Sequence, residues 1–163
     1  MTEGIPVVRM YTDDSGHTRF AKMQIPVESK TGLGSVGLFS SLFVNKNIHD
    51  NTGDLKTQFA LTPVPDNLEG EGPKLAHTAP RRQLVLTLSG CLEFKSCDVE
   101  KEDEEHKVTI RRGDILLAED LEGAGHVWKF VESSDGNFYP WIRCYIHLGE
   151  EYNHFVSQLV PKS

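Results

Sequence analysis

Short runs rich in β-branched and aromatic residues recur along the chain, and Gly, Pro, Asn and Asp separate them. Runs of strand length between turn-forming residues predict an all-β fold, either an antiparallel sandwich or a barrel. The predicted strands lie near Val7–Tyr11, Thr18–Ile25, Val36–Val44, Thr57–Thr62, Gln83–Leu88, Leu92–Ser96, Lys107–Arg111, Ile115–Ala118, His126–Val131 and Trp141–Leu148.

The last predicted strand has the clearest alternation between its two faces. One face is wholly apolar, and we predict that it packs in the core. The other mixes aromatic and cationic residues, and we predict that it faces outward. The apolar face consists of Ile142, Cys144, Ile146 and Leu148. The face with aromatic and cationic residues consists of Trp141, Arg143, Tyr145 and His147.

Turn-forming stretches at 13–16, 112–114 and 133–137 predict tight connections between strands. Residues 63–72 are expected to form a long loop that covers a pocket mouth, and the acidic stretch 97–106 a solvated hairpin tip. Near the C-terminus, apolar residues at helical spacing predict one short amphipathic helix on the sheet. These residues are Tyr152, Phe155, Val156, Leu159 and Val160.

The 163 residues are enough for one domain, which we expect to span 1–163. Lys and Arg number 17 against 24 Asp and Glu, for a formal net charge of −7, which disfavours nucleic acid and anionic membranes as partners. The sequence has no apolar run long enough to cross a bilayer and no secretory signal pattern. Its three cysteines, Cys91, Cys97 and Cys144, have neither the even number typical of a disulfide-bonded fold nor the paired spacing of a zinc site. A reduced, cytoplasmic protein is expected.

Two stretches resemble the paired motifs of the cupin superfamily. They are HTAPRRQLVLTLSG at 77–90 and GDILLAEDLEGAGH at 113–126, and the motif match covers about residues 75–130. Together with YTDDSGHTRF at 11–20, they resemble small single-domain cupins. The resemblance implies a double-stranded β-helix, also called a jelly-roll barrel, and a homodimer.

The resemblance also implies a metal site inside the barrel, with His77, Gln83 and His126 at ligand positions and a divalent first-row metal (Fe, Mn, Ni or Zn) as the only cofactor. Two positions depart from the family pattern, because Ala79 replaces a histidine and Gln83 replaces the glutamate. Another side chain would have to complete the site, and the candidates are His17, His49, His147 and His154. The alternative needs no ion: the two motif histidines hydrogen-bond Gln83 and a backbone carbonyl.

Charged residues beside the motifs are the candidate catalytic groups. Arg81 has the strand parity of His77 and Gln83, so it is expected to enter the pocket and bind a carboxylate or enolate. Arg82 would then face outward and pair with an acid such as Glu93 or Glu119. A purely structural role, in surface ion pairs, is open for both arginines.

The end of the second motif offers a carboxylate for catalysis. Glu119 is a candidate general base in a partly buried pocket. Asp120 is expected to accept backbone amides of the 121–125 turn, in which Gly123 and Gly125 supply the positive φ that aims His126.

Two classes of function remain open from the sequence. One is a metal-dependent isomerase, lyase or oxygenase acting on a small carbonyl or carboxylate compound, as the range of the superfamily implies. The other is a non-catalytic ligand-binding or structural cupin that has lost its metal. A small molecule is the expected partner in the first class, and fold alone does not choose between the two.

Overall fold

The computed structural model describes residues 4–30, 34–37, 57–66, 68, 75–97, 103–149 and 152–162. The described part is mostly β, which confirms the all-β prediction. Its elements are β1 (Gly4–Thr12), β2 (Thr18–Lys30), β3 (Gly34–Gly37), β4 (Thr57–Thr62), β5 (Gln83–Ser89), β6 (Cys91–Ser96), β7 (Lys107–Arg111), β8 (Ile115–Glu119), β9 (His126–Phe130), β10 (Trp141–His147), α1 (Tyr152–Gln158) and β11 (Val160–Pro161).

The strands form two sheets. The large sheet has eight strands in the order β11-β2-β1-β8-β5-β10-β4, with β3 added beside β2, and the small sheet has the order β7-β6-β9. Neighbouring strands are antiparallel, except that β1 and β8 run parallel. Within the described residues the sheets do not close into a barrel.

Apolar clusters pack against both faces of the large sheet. Alternate residues of one strand point to opposite faces, so Leu116 packs in the cluster between the two sheets, whereas Leu117 packs beneath helix α1. Phe94 and Leu92 contribute to the first cluster from the small sheet. The second cluster is closed by Phe155, which is fully buried.

The outward orientation predicted for one face of β10 is wrong. The apolar face is buried as expected, because Ile146 and Leu148 pack in the cluster beneath α1. The other face points toward the small sheet, since Trp141 is buried and Tyr145 is half-buried in the cluster between the sheets. A strand in a sheet covered on both sides has no outward face, and this explains the error.

The predicted turns and helix are confirmed where the structure describes them. Gly16, Gly113 and Gly136 have positive φ in the three predicted turns. The helix spans Tyr152–Gln158, and Val160 instead begins β11. Part of the predicted strand 36–44, of the loop 63–72 and of the stretch 97–106 lies outside the described residues.

The cysteines are free, as expected. Burial raises the pKa of the Cys91 and Cys144 thiols, which disfavours the reactive thiolate. In the part of the chain described here, no helix has the length and apolar character that crossing a membrane requires.

We expect Phe155→Ala to destabilise the fold by about 3–5 kcal/mol, because it removes a fully buried ring and leaves a cavity between α1 and the large sheet. Urea unfolding followed by circular dichroism measures the loss. Asn153→Ala, at an exposed position of the same helix, is the control and should change stability by less than about 0.5 kcal/mol. Equal effects of the two substitutions would contradict packing of α1 on the sheet.

Candidate functional site

A cavity of about 700 Å³ lies between the large and the small sheet. Residues of both sheets and of the segment before β5 line it, and the set mixes aromatic, cationic and amide side chains. The lining residues are Met10, Gln58, Leu75, His77, Ala79, Pro80, Arg81, Gln83, Val85, Phe94, Leu116, Ala118, His126, Trp128, Trp141, Arg143, Tyr145 and His147.

Strand register explains why these side chains share one face of the large sheet. Directly paired residues of neighbouring strands point to the same side. Gln83 pairs with Ala118 on β8 and with His147 on β10, and Ala118 pairs with Met10 on β1. On the far side of β10, Tyr145 pairs with Gln58 of β4. The wall of the cavity therefore crosses five adjacent strands.

The two motif histidines meet across the cavity. The His77 N–H donates to the His126 carbonyl at 3.1 Å, and the His126 N–H donates to the His77 carbonyl at 2.9 Å. The centroids of their rings lie 4.5 Å apart. The structure thus brings His77, Arg81, Gln83 and His126 into one cavity. Their roles as ligands or catalysts stay predictions.

Hydrogen bonds fix the tautomer of both rings. Nδ1 of His77 lies 2.9 Å from the carbonyl oxygen of Leu75, and Nδ1 of His126 lies 2.7 Å from Oδ2 of Asp120. A carbonyl and a carboxylate only accept hydrogen bonds, so Nδ1 carries the hydrogen in each ring. When the rings are neutral, both Nε2 atoms keep a free lone pair.

Asp120 supports His126, a role that the sequence analysis missed. The residue is completely buried, and its Oδ2 also accepts a hydrogen bond from the Thr18 hydroxyl at 3.0 Å. Its other oxygen has no hydrogen-bond partner among the described residues. The prediction that its carboxylate accepts the amides of the following turn is wrong, since the Ala124 N–H donates to the Gly16 carbonyl instead. Gly123 and Gly125 do have the predicted positive φ.

Arg81 reaches the cavity mouth, as strand parity predicts. Its exposed side chain places Nη1 3.5 Å from Nδ1 of His147. His147, assigned to an outward face from the sequence, lines the cavity. Of the other candidates to complete a metal site, His17 lies in the β1–β2 turn away from the cavity and His49 lies outside the described residues. His154 belongs to α1, which packs on the opposite face of the sheet.

Glu119 does not line this cavity, so the structure does not bring the candidate general base together with the motif histidines; it lines a separate cleft of about 410 Å³ with Arg9 and Tyr152. It alternates with Ala118 along β8 and therefore points to the face that α1 covers. Its carboxylate accepts hydrogen bonds from Nε of Arg9 at 2.7 Å and from the Tyr152 hydroxyl at 2.6 Å. Burial and the hydrogen bond to Glu119 raise the pKa of the Tyr152 phenol. These bonds make Glu119 a structural anchor for α1.

Arg82 lies on the same face as Glu119, opposite the cavity. Its guanidinium stacks 4.4 Å from the centre of the Tyr152 ring. Glu93, one of the acids expected to pair with it, instead lies 3.1 Å from the ammonium of Lys129. The outward orientation predicted for Arg82 therefore holds, but its described contact is with an aromatic ring.

Arg143 is held rigidly on the cavity wall, and the sequence analysis did not identify it. Its guanidinium stacks 3.8 Å from the centre of the Trp141 ring, and Nε donates to the Tyr145 hydroxyl at 2.5 Å. Nη1 donates to the Thr62 hydroxyl at 2.8 Å and to the Trp141 carbonyl at 3.3 Å. The two N–H groups on Nη2 make no hydrogen bond to the described residues. The sequence does hold a signal for this residue, because Arg143 shares one face of the predicted strand with the aromatic residues Trp141 and Tyr145.

The cavity differs in charge from the rest of the chain. Among the described residues that line it, two are arginines and three are histidines, and none is Asp or Glu. The whole chain, by contrast, has a formal net charge of −7. The carboxylate of Asp120, which bonds Nδ1 of the lining residue His126, is not itself part of the lining. This arrangement favours a negatively charged occupant.

We expect Gly125→Ala to damage the site through His77. A Cβ at position 125 would lie 2.5 Å from the His77 carbonyl oxygen, and its φ of +75° already disfavours a side chain. Gly136→Ala is a matched control, because its φ is +77° but no atom lies near the added Cβ. The control should cost about 1–2 kcal/mol, and Gly125→Ala should cost more in urea unfolding. Equal costs would contradict the close approach of Gly125 to His77.

Comparison with known proteins adds no assignment. No family model matches the chain, and no protein of curated function and no solved structure is significantly similar to it. The described residues also contain no cluster of three or more His, Cys, Asp or Glu side chains arranged to hold a metal ion. The likeness to cupins therefore rests on the motif residues at 77–90 and 113–126 and stays a resemblance.

Proposed function

We propose that this chain is a cupin-type protein that binds a small organic anion in the cavity between its sheets. The observation that carries the proposal is Arg143, whose guanidinium is fixed on the cavity wall by stacking and hydrogen bonds and whose Nη2 end has no hydrogen-bond partner among the described residues. Ordering a long cationic side chain costs conformational entropy. In Arg143 that cost is met before a ligand arrives, which favours affinity.

A carboxylate is the anion that suits this cavity best. A guanidinium presents N–H groups in a planar fork that matches the two oxygens of a carboxylate. Arg81 at the mouth supplies a second such group, and none of the described lining residues is a competing acid. The resemblance to cupins, whose range includes enzymes acting on small carbonyl and carboxylate compounds, supports the same class.

The body of the ligand is expected to be aromatic or otherwise apolar. The cavity volume of about 700 Å³ lies within the usual range for sites that bind small molecules. Trp128 and Trp141 lie with ring centres 5.1 Å apart, and Phe94 packs 5.8 Å from Trp141. These rings pack edge to face against one another, and together they give a ligand an apolar aromatic surface to contact.

Fluorescence titration tests the proposal, because both tryptophans of the chain line the cavity. Phenylacetate should quench or shift their emission saturably, and its uncharged isostere phenylacetamide should bind about tenfold to a hundredfold more weakly. Arg143→Gln should weaken phenylacetate binding by a similar factor and leave phenylacetamide unchanged.

The control for this titration is Arg112→Gln, at an exposed arginine in the turn before β8. It removes the same charge from the chain without touching the cavity, so phenylacetate affinity should not change. Equal affinity of the wild-type protein for phenylacetate and phenylacetamide would contradict anion recognition. Loss of binding in Arg112→Gln as large as in Arg143→Gln would show an effect of net charge alone.

A second candidate is a divalent-metal site in the same cavity, and the tautomers of the histidines favour it. Metal-bound histidines commonly donate Nδ1–H to a carboxylate or carbonyl and coordinate through Nε2, which is the pattern of His77 and His126. The buried amide of Gln83 would be the third donor. The donor set fits a first-row metal with these three residues, and the ion would supply Lewis-acid polarisation of a ligand oxygen.

Metal analysis of protein purified without chelator or nickel affinity resin checks this second candidate. Bound Mn, Fe, Ni or Zn should be present in the wild-type protein and lost in His126→Gln, and added metal should raise the melting temperature of the wild-type protein only. A metal-free protein with an unchanged melting temperature would contradict the metal site. It would leave anion binding through Arg143 unaffected.

A further inference from the structure

We infer that the cleft lined by Arg9, Glu119 and Tyr152, termed here the helix-side cleft, is a second ligand site that binds a small zwitterion of the amino-acid class. The carboxylate of the ligand pairs with Arg82 and its ammonium pairs with Glu122. The site lies on the opposite face of the large sheet from the anion cavity, so the inference does not rest on the proposed function.

The helix-side cleft forms where β1, β8 and α1 meet. Met10 and Ala118 line the cavity between the sheets. Their neighbours along the strands, Tyr11 and Glu119, therefore point to the opposite face, where Tyr152 begins α1. The volume of the cleft, about 410 Å³, lies within the usual range for small-molecule sites. The cleft is therefore large enough for a compound the size of an amino acid.

A satisfied ion pair forms the floor of the cleft. The Glu119 side chain is 4 % exposed, and its carboxylate accepts hydrogen bonds from Nε of Arg9 at 2.7 Å and from the Tyr152 hydroxyl at 2.6 Å. The Arg9 guanidinium also stacks 4.7 Å from the centre of the Tyr11 ring. Because the two charges of the floor neutralise each other, the floor does not select a ligand by the sign of its charge.

Two further charges of opposite sign line the cleft without neutralising each other. The side chains of Arg82 and Glu122 are exposed at its rim. Within the described part of the chain, neither side chain makes an ion pair or a hydrogen bond. One cationic and one anionic group are therefore available to a ligand in the same cleft.

Both rim residues have a backbone that other contacts hold in place. The Leu148 N–H donates to the Arg82 carbonyl at 2.9 Å, and the Arg82 guanidinium stacks 4.4 Å from the centre of the Tyr152 ring. The Thr12 hydroxyl donates to the Glu122 carbonyl at 2.9 Å. Less conformational entropy is therefore lost when a ligand binds between the two rim residues.

The balance of charges in the cleft favours a zwitterion over a simple ion. The described lining contains two arginines and two glutamates, whereas that of the anion cavity contains arginines and histidines but neither Asp nor Glu. A simple anion would meet the carboxylate of Glu122, and a simple cation would meet the guanidinium of Arg82. A zwitterion pairs with both through charge-assisted hydrogen bonds. Leu121 and Tyr11 offer apolar surface to the rest of the ligand.

Two isomeric amino acids, L-leucine and 6-aminohexanoate, test the inference at a short and a long spacing of the two charges. In titrations followed by ¹H–¹⁵N nuclear magnetic resonance, at least one isomer should bind saturably. Its analogues with a single charge should bind about tenfold to a hundredfold more weakly. These analogues are 4-methylpentanoate and 3-methylbutylamine for L-leucine, and hexanoate and pentylamine for 6-aminohexanoate. Absence of saturable binding of both isomers up to about 10 mM would overturn the inference.

Substitutions at the rim separate the two contacts. Arg82→Gln should weaken binding of the zwitterion about tenfold to a hundredfold without weakening binding of the amine analogue, which has no carboxylate. Glu122→Gln should weaken the zwitterion by a similar factor without weakening the carboxylate analogue. Both side chains are exposed, so the two variants should keep a melting temperature close to that of the wild-type protein.

Arg112→Gln and Glu132→Gln are the matched controls. Each changes the net charge by the same amount as the corresponding rim variant, at an exposed position outside the cleft, so neither should change the affinity for the zwitterion. Equal losses in the controls and in the rim variants would overturn the inference, because they would show an effect of net charge alone. A single-charge analogue that binds as tightly as its zwitterion would also overturn it.

The positions of the shifted signals distinguish this site from the anion cavity. Binding in the cleft should shift the backbone amide signals of Leu121, Glu122 and Tyr152 and leave the indole signals of Trp128 and Trp141 unchanged. Shifts confined to the two indoles would place the zwitterion in the cavity and overturn the inference. Phenylacetate, the probe of the cavity, should not displace the zwitterion, so failure of either proposal leaves the other intact.

Discussion

Two backbone hydrogen bonds between His77 and His126 connect the segment before β5 with the first residue of β9. Because β5 belongs to the large sheet and β9 to the small one, this link fixes the two sheets against each other at one end of the cavity. It also sets the spacing of the two rings, whose centroids are 4.5 Å apart. Gly125 permits the link, since any side chain there would meet the His77 carbonyl.

The carboxylates beside this link have divided roles. Glu119 and Asp120 are neighbours in sequence at the end of β8, yet one secures α1 through Tyr152 and the other secures the His126 ring. Strand alternation sends Glu119 to the helix side, and the end of the strand turns Asp120 inward between Thr18 and His126. Both are buried acids, but only Asp120 is connected to the cavity.

The sequence predicted the positions of most strands, the turns and the helix, because these depend on local patterns of apolar and turn-forming residues. The resemblance to cupins implied that His77, Gln83 and His126 would share a cavity, and strand parity added Arg81 to them. Prediction from the sequence failed for His147 and Arg143, whose orientation depends on which face of the large sheet the second sheet covers. Which face the small sheet covers depends on tertiary packing. The alternation of residues along one strand is the same whichever face is covered, so the sequence of that strand does not reveal it.

The large sheet has one further consequence, which concerns how such a chain can change over time. Along β5, β8 and β10, alternate positions serve two separate environments: Leu84, Leu117 and Ile146 pack on the helix side, while their neighbours Gln83, Ala118 and His147 line the cavity. Substitutions on the cavity side can therefore accumulate with little effect on the packing beneath α1. The same scaffold can diversify its chemistry while the helical side preserves its foldability.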